Sequence, residues 1–499
     1  MHRPLSPLKL LFRLALLLIL ALFLGAVGAV GARAQLVTPK TVPVFQDEQF
    51  NVVPSSRPGL ANSFIALEDT LGDPFMNPAK VTRLRGVSVA AAPFTHHVTG
   101  ERGGGQTFPV ALFAAGGEWA GGVLAAFQNL ERAGPTFNRP TNARTSNNQY
   151  VAGMLARRTG SLSVGVGASH AGLEAIDGVD LLYAGSDRIE QHGSVNELRL
   201  GVLKEFGVGH SFELLGMHNR TDMTHDVHFT TWTWNPVLQQ PIVTVRQEQN
   251  LDETHIWGVH SRYYRPVGTD GWRVGGLLTA NRLSHPKIPN YVLQNIPRDP
   301  GDTYGYNVGI GAARLAGPSS FFVDLIVEPM RSETWGDLAH DTVDVGGVVL
   351  PAGAKTIENS FNFHNSKARI GAGHVFPVNA DSSHTLSLDA ALSVYTIGYG
   401  LRQTNNVART TRQQAERWAE MSQSVGIRFR SRDIEVSYAF RRTCGNQGCG
   451  EDENRGMIFA AGDFALASAG GIIAAPSAPL FLQSGTQSSH RFGVVVPIR

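Results

Sequence analysis

Apolar and polar residues alternate strictly along much of the chain. From Thr385 to Tyr395, Leu386, Leu388, Ala390, Leu392 and Val394 share one face, and Thr385, Ser387, Asp389, Ala391, Ser393 and Tyr395 share the other. Ile434, Val436, Tyr438 and Phe440 oppose Asp433, Glu435, Ser437, Ala439 and Arg441. Leu162, Val164, Val166 and Ala168 oppose Ser161, Ser163, Gly165, Gly167 and Ser169. Side chains of a strand point alternately to opposite faces, so a period of two predicts β-structure. The pattern predicts strands over 81–92, 106–114, 119–128, 149–156, 161–171, 195–205, 211–219, 254–264, 272–282, 303–314, 320–328, 360–375, 384–399, 422–430, 433–442 and 489–498. Within 360–375 the phase changes: Phe361 and Phe363 are odd, but Ala368, Ile370 and Ala372 are even. A bulge is expected there to restore the faces. Ser63–Leu71 is expected to form one short helix.

The spacing of these strands is asymmetric. Tight turns are expected at 157–160, 206–209, 268–271, 316–319, 378–381 and 431–432. Longer polar segments separate those hairpins at 172–194, 220–252, 283–302, 329–358, 401–416 and 443–488. Short periplasmic turns alternating with long outer loops are the layout of an outer-membrane barrel. A soluble sandwich more often has short connections at both ends. The fold class expected is therefore all-β, a transmembrane antiparallel barrel of about 14–16 strands. Trp119, Tyr150, Trp257, Tyr263, Trp272, Tyr304, Tyr399 and Phe492 fall near strand ends, where aromatic girdles are expected. The last strand carries a lipid-facing row of Phe492, Val494, Val496 and Ile498. It departs from the usual aromatic terminal residue by ending on Arg499, and Pro497 lacks a ladder donor.

The amino terminus adds an address. Arg3, Lys9 and Arg13 precede the uncharged run Leu14–Ala32, and Ala32-Arg33-Ala34 has the small-x-small form of a cleavage site. This order reads as a secretory signal cut after Ala34; an uncleaved anchor is the alternative. The domains expected are a signal peptide over 1–34, a hatch or periplasmic segment over 35–80, and an outer-membrane barrel over 81–499. Removing Arg3, Lys9, Arg13 and Arg33 leaves 39 basic against 41 acidic residues. That balance gives no nucleic-acid footprint. The partners expected are outer-membrane lipids, the barrel assembly machinery and a small hydrophobic ligand.

A barrel this wide leaves an aqueous channel unless something fills it. Its predicted inward face carries Glu197, Arg199, Glu213, Arg273, Asp324, Asp389, Arg428, Arg430, Glu435 and Arg441. With both signs present, these charges are expected to pair across a hydrated lumen rather than to form a selectivity ring. Residues 35–80, rich in Pro, Asn, Ser and Asp, are read as either a periplasmic tail or a plug.

Within that segment, Asp73-Pro74-Phe75-Met76-Asn77-Pro78-Ala79-Lys80-Val81-Thr82-Arg83-Leu84 resembles the Asn-Pro-Ala segment of FadL-type outer-membrane transporters of long-chain fatty acids and other hydrophobic compounds. The resemblance covers about a dozen residues and general architecture. It implies a fourteen-stranded barrel with an N-terminal hatch just before the first strand. It places Asp73, Asn77, Pro78 and Ala79 at the hatch–barrel junction. There Asn caps or turns the chain and Pro stops the preceding element, a structural rather than a ligand-binding role. Related barrels with this segment include secretion-associated ones.

Enzymatic motifs are missing from the sequence. Gly165-Val166-Gly167 and Gly309-Ile310-Gly311 do not extend to G-x-G-x-x-G and are read as small lumen-facing strand residues. No G-x-x-x-x-G-K, G-x-S-x-G or H-E-x-x-H occurs. His225 and His228 face opposite sides of an extended chain, which argues against a shared metal. Cys444 and Cys449, in an exported outer loop, are expected to form a disulfide. No catalytic residue, metal or cofactor is assigned. The function expected is passive transport of small hydrophobic compounds. An open porin and an interaction barrel presenting loops 220–252 and 443–488 are the alternatives. A barrel hydrolase would need Ser and His neighbours that sequence cannot show.

Overall fold

In a computed structural model the chain forms one closed antiparallel barrel. The structure describes residues 52–60, 65–98, 103–132, 145–174, 188–235, 237–285, 289–290, 296–297, 301–338, 340–379, 381, 383–444 and 486–498. The signal-like segment, residues 35–51, Cys449 and most of 443–488 lie outside the described residues.

Sixteen strands run in chain order. They are β1 (Gly86–Ala91 and Phe94–Val98, interrupted at Ala92-Pro93), β2 (Gly103–Gly116), β3 (Trp119–Arg132) and β4 (Thr145–Thr159). Then come β5 (Leu162–Leu173), β6 (Arg188–Gly207), β7 (His210–Asn235), β8 (Gln240–Val267), β9 (Trp272–His285) and β10 (Gly301–Ala316). The last are β11 (Ser319–Asp337), β12 (Lys355–Pro377), β13 (Thr385–Asn405), β14 (Thr410–Arg430), β15 (Glu435–Cys444) and β16 (Thr486–Ile498). Each strand pairs with its successor, and β1 pairs back with β16 from Val87↔Ile498 through Phe94↔Arg491. Closure leaves no edge, which hydrocarbon demands because it cannot hydrogen-bond an unpaired strand. The count is sixteen, not the fourteen that the FadL-type resemblance implies.

All sixteen strands expected from alternation are present, and the six expected tight turns join them. Gly160, Gly209, Gly268 and Gly317 hold positive φ in four of those turns, a conformation that glycine adopts without a Cβ penalty. The opposite ends are longer than sequence suggests. β7 and β8 contain 26 and 28 residues, whereas about 9–11 tilted residues cross the hydrocarbon. The polar segment 220–252 is therefore largely a tall hairpin rather than a loop, and 401–416 is likewise mostly paired strand.

Apolar side chains form the outer belt: Phe108, Phe127, Val166, Leu200, Ile310, Leu325, Val327 and the closing Phe492 and Ile498 are all exposed. Trp119, Trp257, Tyr263, Trp272 and Tyr304 are also exposed, as girdle residues must be. Tyr150 and Tyr399 are not: both are buried on the inner face, where Tyr150 donates to Gln128 at 3.1 Å. The bulge expected in β12 is also absent. Register with β11 runs unbroken from His374 to Ile357, and register with β13 is the same on both sides of Asn365. Phe361 and Phe363 therefore point inward with Asn359 and Arg369. The apparent phase change is a change in what the inner face contacts, from polar groups to other rings.

On the outer side, the small hairpin Thr342–Val343 with Val349–Leu350 is stapled to the β13–β14 turn. The Asp344 carboxylate accepts from the Gly346 amide at 2.8 Å, the Val348 amide at 2.9 Å and Arg409 Nε at 2.8 Å. The Val348 amide foremost, with Arg409 and the Gly346 amide, holds Asp344 below its ordinary value of 3.8. A depressed carboxylate pKa adds stability above the ordinary value, and that stability is lost as pH falls through the lowered one.

Two predictions follow from this architecture. Leu325→Arg, on the lipid face beside inward Asp324, is expected to cost about 2–4 kcal/mol, read from urea unfolding in lipid vesicles; no cost would reverse the assignment of faces. Protection factors of the 344–348 amides, with the intrinsic pH dependence of exchange divided out, should stay flat from neutral pH down to the ordinary carboxylate value, then fall below it. Asp344→Asn should abolish that dependence.

Candidate functional site

The described part of the amino-terminal segment, 52–60 and 65–84, lies against the inner wall. It contains a single 3-10 turn at Pro58–Leu60, a four-residue helix at Asp73–Met76 and a 3-10 helix at Pro78–Arg83. Residues 65–71 form bends and a turn, not the helix expected there. Asp69 organises this stretch by accepting from the Ser56 amide at 2.8 Å, the Leu71 amide at 3.1 Å and the Gly72 amide at 3.0 Å. Wall partners of the segment include Ser163, Glu205, Glu213, Tyr264 and Arg428, all within a few residues of a short turn. The described part of the segment, hereafter the hatch, therefore lies against the inner wall in the short-turn half of the barrel.

Its junction is an ion cluster. Lys80 Nζ pairs with the Asp73 carboxylate and lies 3.4 Å from Glu213. Arg262 pairs with Glu213 and lies 3.4 Å from Asp73. All four side chains are nine-tenths or more buried. Two cations face two anions, which offsets the heavy cost of taking charge out of water. Asn77 Nδ2 donates to the Val202 carbonyl at 3.3 Å and to Glu213 at 3.4 Å. Its Oδ1 accepts from the Ala79 amide at 3.1 Å, capping the 3-10 helix that begins at Pro78. Asp73, Asn77, Pro78 and Ala79 thus lie against the wall, and Asn77 both caps the 3-10 helix and ties it to β6 and β7.

Small wall residues let the hatch come this close. A Cβ on Gly165 would lie 2.6 Å from the Ala79 amide nitrogen, and one on Gly201 would lie 2.0 Å from Asn77 Oδ1. Across the lumen, a Cβ on Gly426 would lie 2.7 Å from Gly59 Cα. Ile65 fills the recess left by Gly275, Gly309 and Gly311.

The ten inward charges do not mainly pair across water. Arg199 donates to the Phe75 carbonyl and, at 3.2 Å, to that of Met76, while Glu197 braces its Nε at 2.5 Å. Asp324 accepts from the Ile65 amide at 3.4 Å and lies 3.6 Å from Arg369. Arg428 donates to the Ser56 carbonyl and lies 3.9 Å from Glu435. Asp389 packs beside Gly59. Arg273 lies over the Gly209 turn, Arg430 is largely exposed near Glu435, and Arg441 donates to Ser422 at 3.1 Å. Four of the ten, Arg199, Glu213, Asp324 and Arg428, bond the hatch directly, because a hatch backbone inside a barrel needs partners for its own carbonyls and amides.

Sequence reasoning missed Lys80, Arg83, Glu68, Arg262 and Tyr264. Arg83 pairs with Glu68 and, at 3.0 Å, with Glu205, and Tyr264 donates to Glu68. Arg262 was open to discovery: it shares the inner parity of β8 with His260 and Tyr264, opposite Val259 and Tyr263. Lys80 has no comparable signal, since nothing local reveals Glu213.

Toward the outer half, Phe361, Ile397, Tyr399 and Leu401 form a buried apolar cluster on β12 and β13, with Phe363 and Tyr395 packed against it. Phe361 stacks on Phe363 at 5.8 Å, and Tyr399 lies 6.0 Å from Phe363. The Tyr399 hydroxyl donates to Glu416 and accepts from Gln414 at 2.9 Å. Cys444 is buried at the outer end of β15; its expected partner, Cys449, lies outside the described residues. Among the described residues no group of His, Cys, Asp and Glu is arranged to hold a metal.

A closed sixteen-stranded antiparallel barrel with an apolar outer belt and a polar inner wall has the fold of outer-membrane β-barrels. No family model matches the chain, and no curated protein matches it. Among solved structures it is similar to the Pseudomonas putida toluene transporter TodX, at 12% identity over 88% of this chain and 96% of that one, with a TM-score of 0.36. The Ralstonia pickettii toluene transporter TbuX is similar at 11% identity over 89% and 97%, with a TM-score of 0.34. A bacterial polysaccharide outer membrane secretin is similar at 8% identity over 83% and 99%, with a TM-score of 0.37.

The ion cluster makes a prediction. Lys80→Met leaves Asp73 and Glu213 to share Arg262, at an expected cost of about 3–5 kcal/mol of hatch docking. Amide exchange across 73–83 should accelerate while the heat-modifiable gel shift of the barrel persists. Unchanged exchange would mean that the cluster does not hold the hatch.

Proposed function

We propose that the chain is an outer-membrane barrel, exported by its cleaved amino-terminal signal, that passes small hydrophobic compounds down their own gradient past a hatch. The observation that carries this reading is the ring of bonds between hatch and wall, from Ser163 and Glu213 on one side to Ser424 and Arg428 on the other. A lumen obstructed in this way suits a selective conduit better than an open porin. The apolar cluster at Phe361, Ile397 and Leu401 supports an apolar cargo, since a path for ions would have little use for it. The FadL-like segment 73–84 supports the same assignment, because it occupies the junction which that resemblance implies. A Cys444–Cys449 bridge closing the outer loop, and delivery by the barrel assembly machinery, belong to this reading. A second reading, an interaction barrel, draws on the tall β7–β8 hairpin, whose tip exposes Trp234, Val237 and Leu238.

Single-channel recording of the refolded mature chain tests the proposal. The wild type is expected to show no steady current steps. Gly165→Ala, which drives a Cβ into the hatch backbone, should open steady steps, whereas Gly153→Ala, with nothing within 4 Å, should not. Large steady steps from the wild type would replace the transporter with a porin. Silence in every variant would favour the interaction barrel.

A further inference from the structure

The short-turn ends of β6 to β10 carry cations that the protein itself does not neutralise. Lys204 shares the outward parity of exposed Leu198 and Leu200, Arg265 that of Val259 and Tyr263, and Arg314 that of Val308 and Ile310. Each therefore continues a lipid-facing row past its apolar part. Lys204 Nζ donates to the Ser161 hydroxyl at 2.7 Å. Arg314 Nε donates to the Asp270 carbonyl at 3.3 Å, and its guanidinium lies 5.7 Å from the centre of the Trp272 ring. Arg273 adds a fourth positive charge over the Gly209 turn. Among the described residues none of the four has a carboxylate partner.

The nearby acids do not make up the difference. Glu205 is held by Arg83 and Arg158, at 3.0 Å from each. Asp270 is the one acid in the turns 206–209, 268–271 and 316–319. Four cations against that one carboxylate leave a surplus of positive charge. The opposite end of the same sector is different. There the outward arginines Arg220, Arg282 and Arg331 each meet a carboxylate: Asp222 at 3.0 Å, Asp302 at 3.3 Å and Glu333.

The surroundings of the surplus charge select its partner. Tyr263 and Trp272 are exposed on the same outward rows, and Phe206 is exposed beside His210, with ring centres 4.7 Å apart. Val208, in the β6–β7 turn, is 95% exposed. Cations beside rings and apolar groups suit the level where headgroups meet acyl chains. Lys and Arg stems lie along hydrocarbon there while their heads reach outward, and aromatic rings favour the same depth. A guanidinium takes a phosphate group through paired N–H donors. An acidic soluble segment would answer the charge alone, but these rows run unbroken into the lipid belt.

We propose that the short-turn rim of β6–β10 is a binding surface for the phosphodiester headgroups of anionic glycerophospholipids in the leaflet on that side. Lys204, Arg265 and Arg314 hold the headgroups, and Tyr263 and Trp272 pack against the glycerol and upper acyl carbons. The proposal rests on the membrane-barrel reading and is independent of the cargo.

The test reconstitutes the full mature chain in phosphatidylcholine vesicles that carry a trace of spin-labelled phosphatidylglycerol or spin-labelled phosphatidylcholine. Electron paramagnetic resonance then reads the motionally restricted fraction of each lipid. The wild type is expected to retain phosphatidylglycerol about fivefold over phosphatidylcholine, the worth of one cation at a charged lipid surface. Lys204→Gln with Arg265→Gln and Arg314→Gln should bring the two lipids to equal retention while the gel shift persists. Lys204→Arg with Arg265→Lys and Arg314→Lys keeps the charge and should keep the preference. Equal retention in an inserted wild type, or an undiminished preference in the glutamine triple, would overturn the surface and leave the membrane reading standing. A wild type that does not insert would overturn both.

Discussion

Every backbone amide and carbonyl of the wall must find a partner within the sheet, because the hydrocarbon around it offers none. The β1–β16 seam meets that demand and fixes the rest. It sets the inside and outside of each strand, and through them the apolar belt and the polar lumen. Pro93 and Pro497 would break an interior ladder, yet both are tolerated here. Pro93 lies at the interruption in β1, where the Phe492 amide still donates to its carbonyl at 2.8 Å, and Pro497 lies one residue from the end of β16.

Closure creates a second demand, because a sixteen-stranded lumen is too wide for wall side chains to fill. The hatch brings its own backbone into the short-turn half of the barrel, and that backbone also needs partners. Arg199, Arg428, Ser424 and Asp324 supply them. This explains a wall that is charged in both signs yet carries no ring of one sign. The Asp73–Lys80–Glu213–Arg262 cluster follows the same logic: buried charge survives where it is balanced and well placed. Such a contact is exacting rather than strong. Loss of one member strands the others.

Above the hatch the inner wall changes character, from charges to the rings of Phe361, Phe363 and Tyr399. One barrel thus offers a polar, tightly bonded lower half and an apolar cluster in its outer half.

The sequence by itself determined the all-β fold, a strand number of about 14–16, most of the faces and the alternation of short and long connections. Each is written locally: a period of two at Thr385–Tyr395, a glycine at four of the six expected sharp turns, an apolar row closing at Ile498. It also showed ten inward charges and the segment Asp73–Ala79. Tertiary structure alone decided what they do. Lys80 meets Glu213 across 133 residues of chain, and Ile65 meets Asp324 across 259. No local pattern encodes such pairings. The same holds for Phe361 and Phe363. Their apolar character argued for lipid, but an inner-face residue is judged by its neighbours, and here those neighbours are Tyr399 and Leu401. Alternation reports which side of a strand a residue is on; only the closed barrel says what waits there.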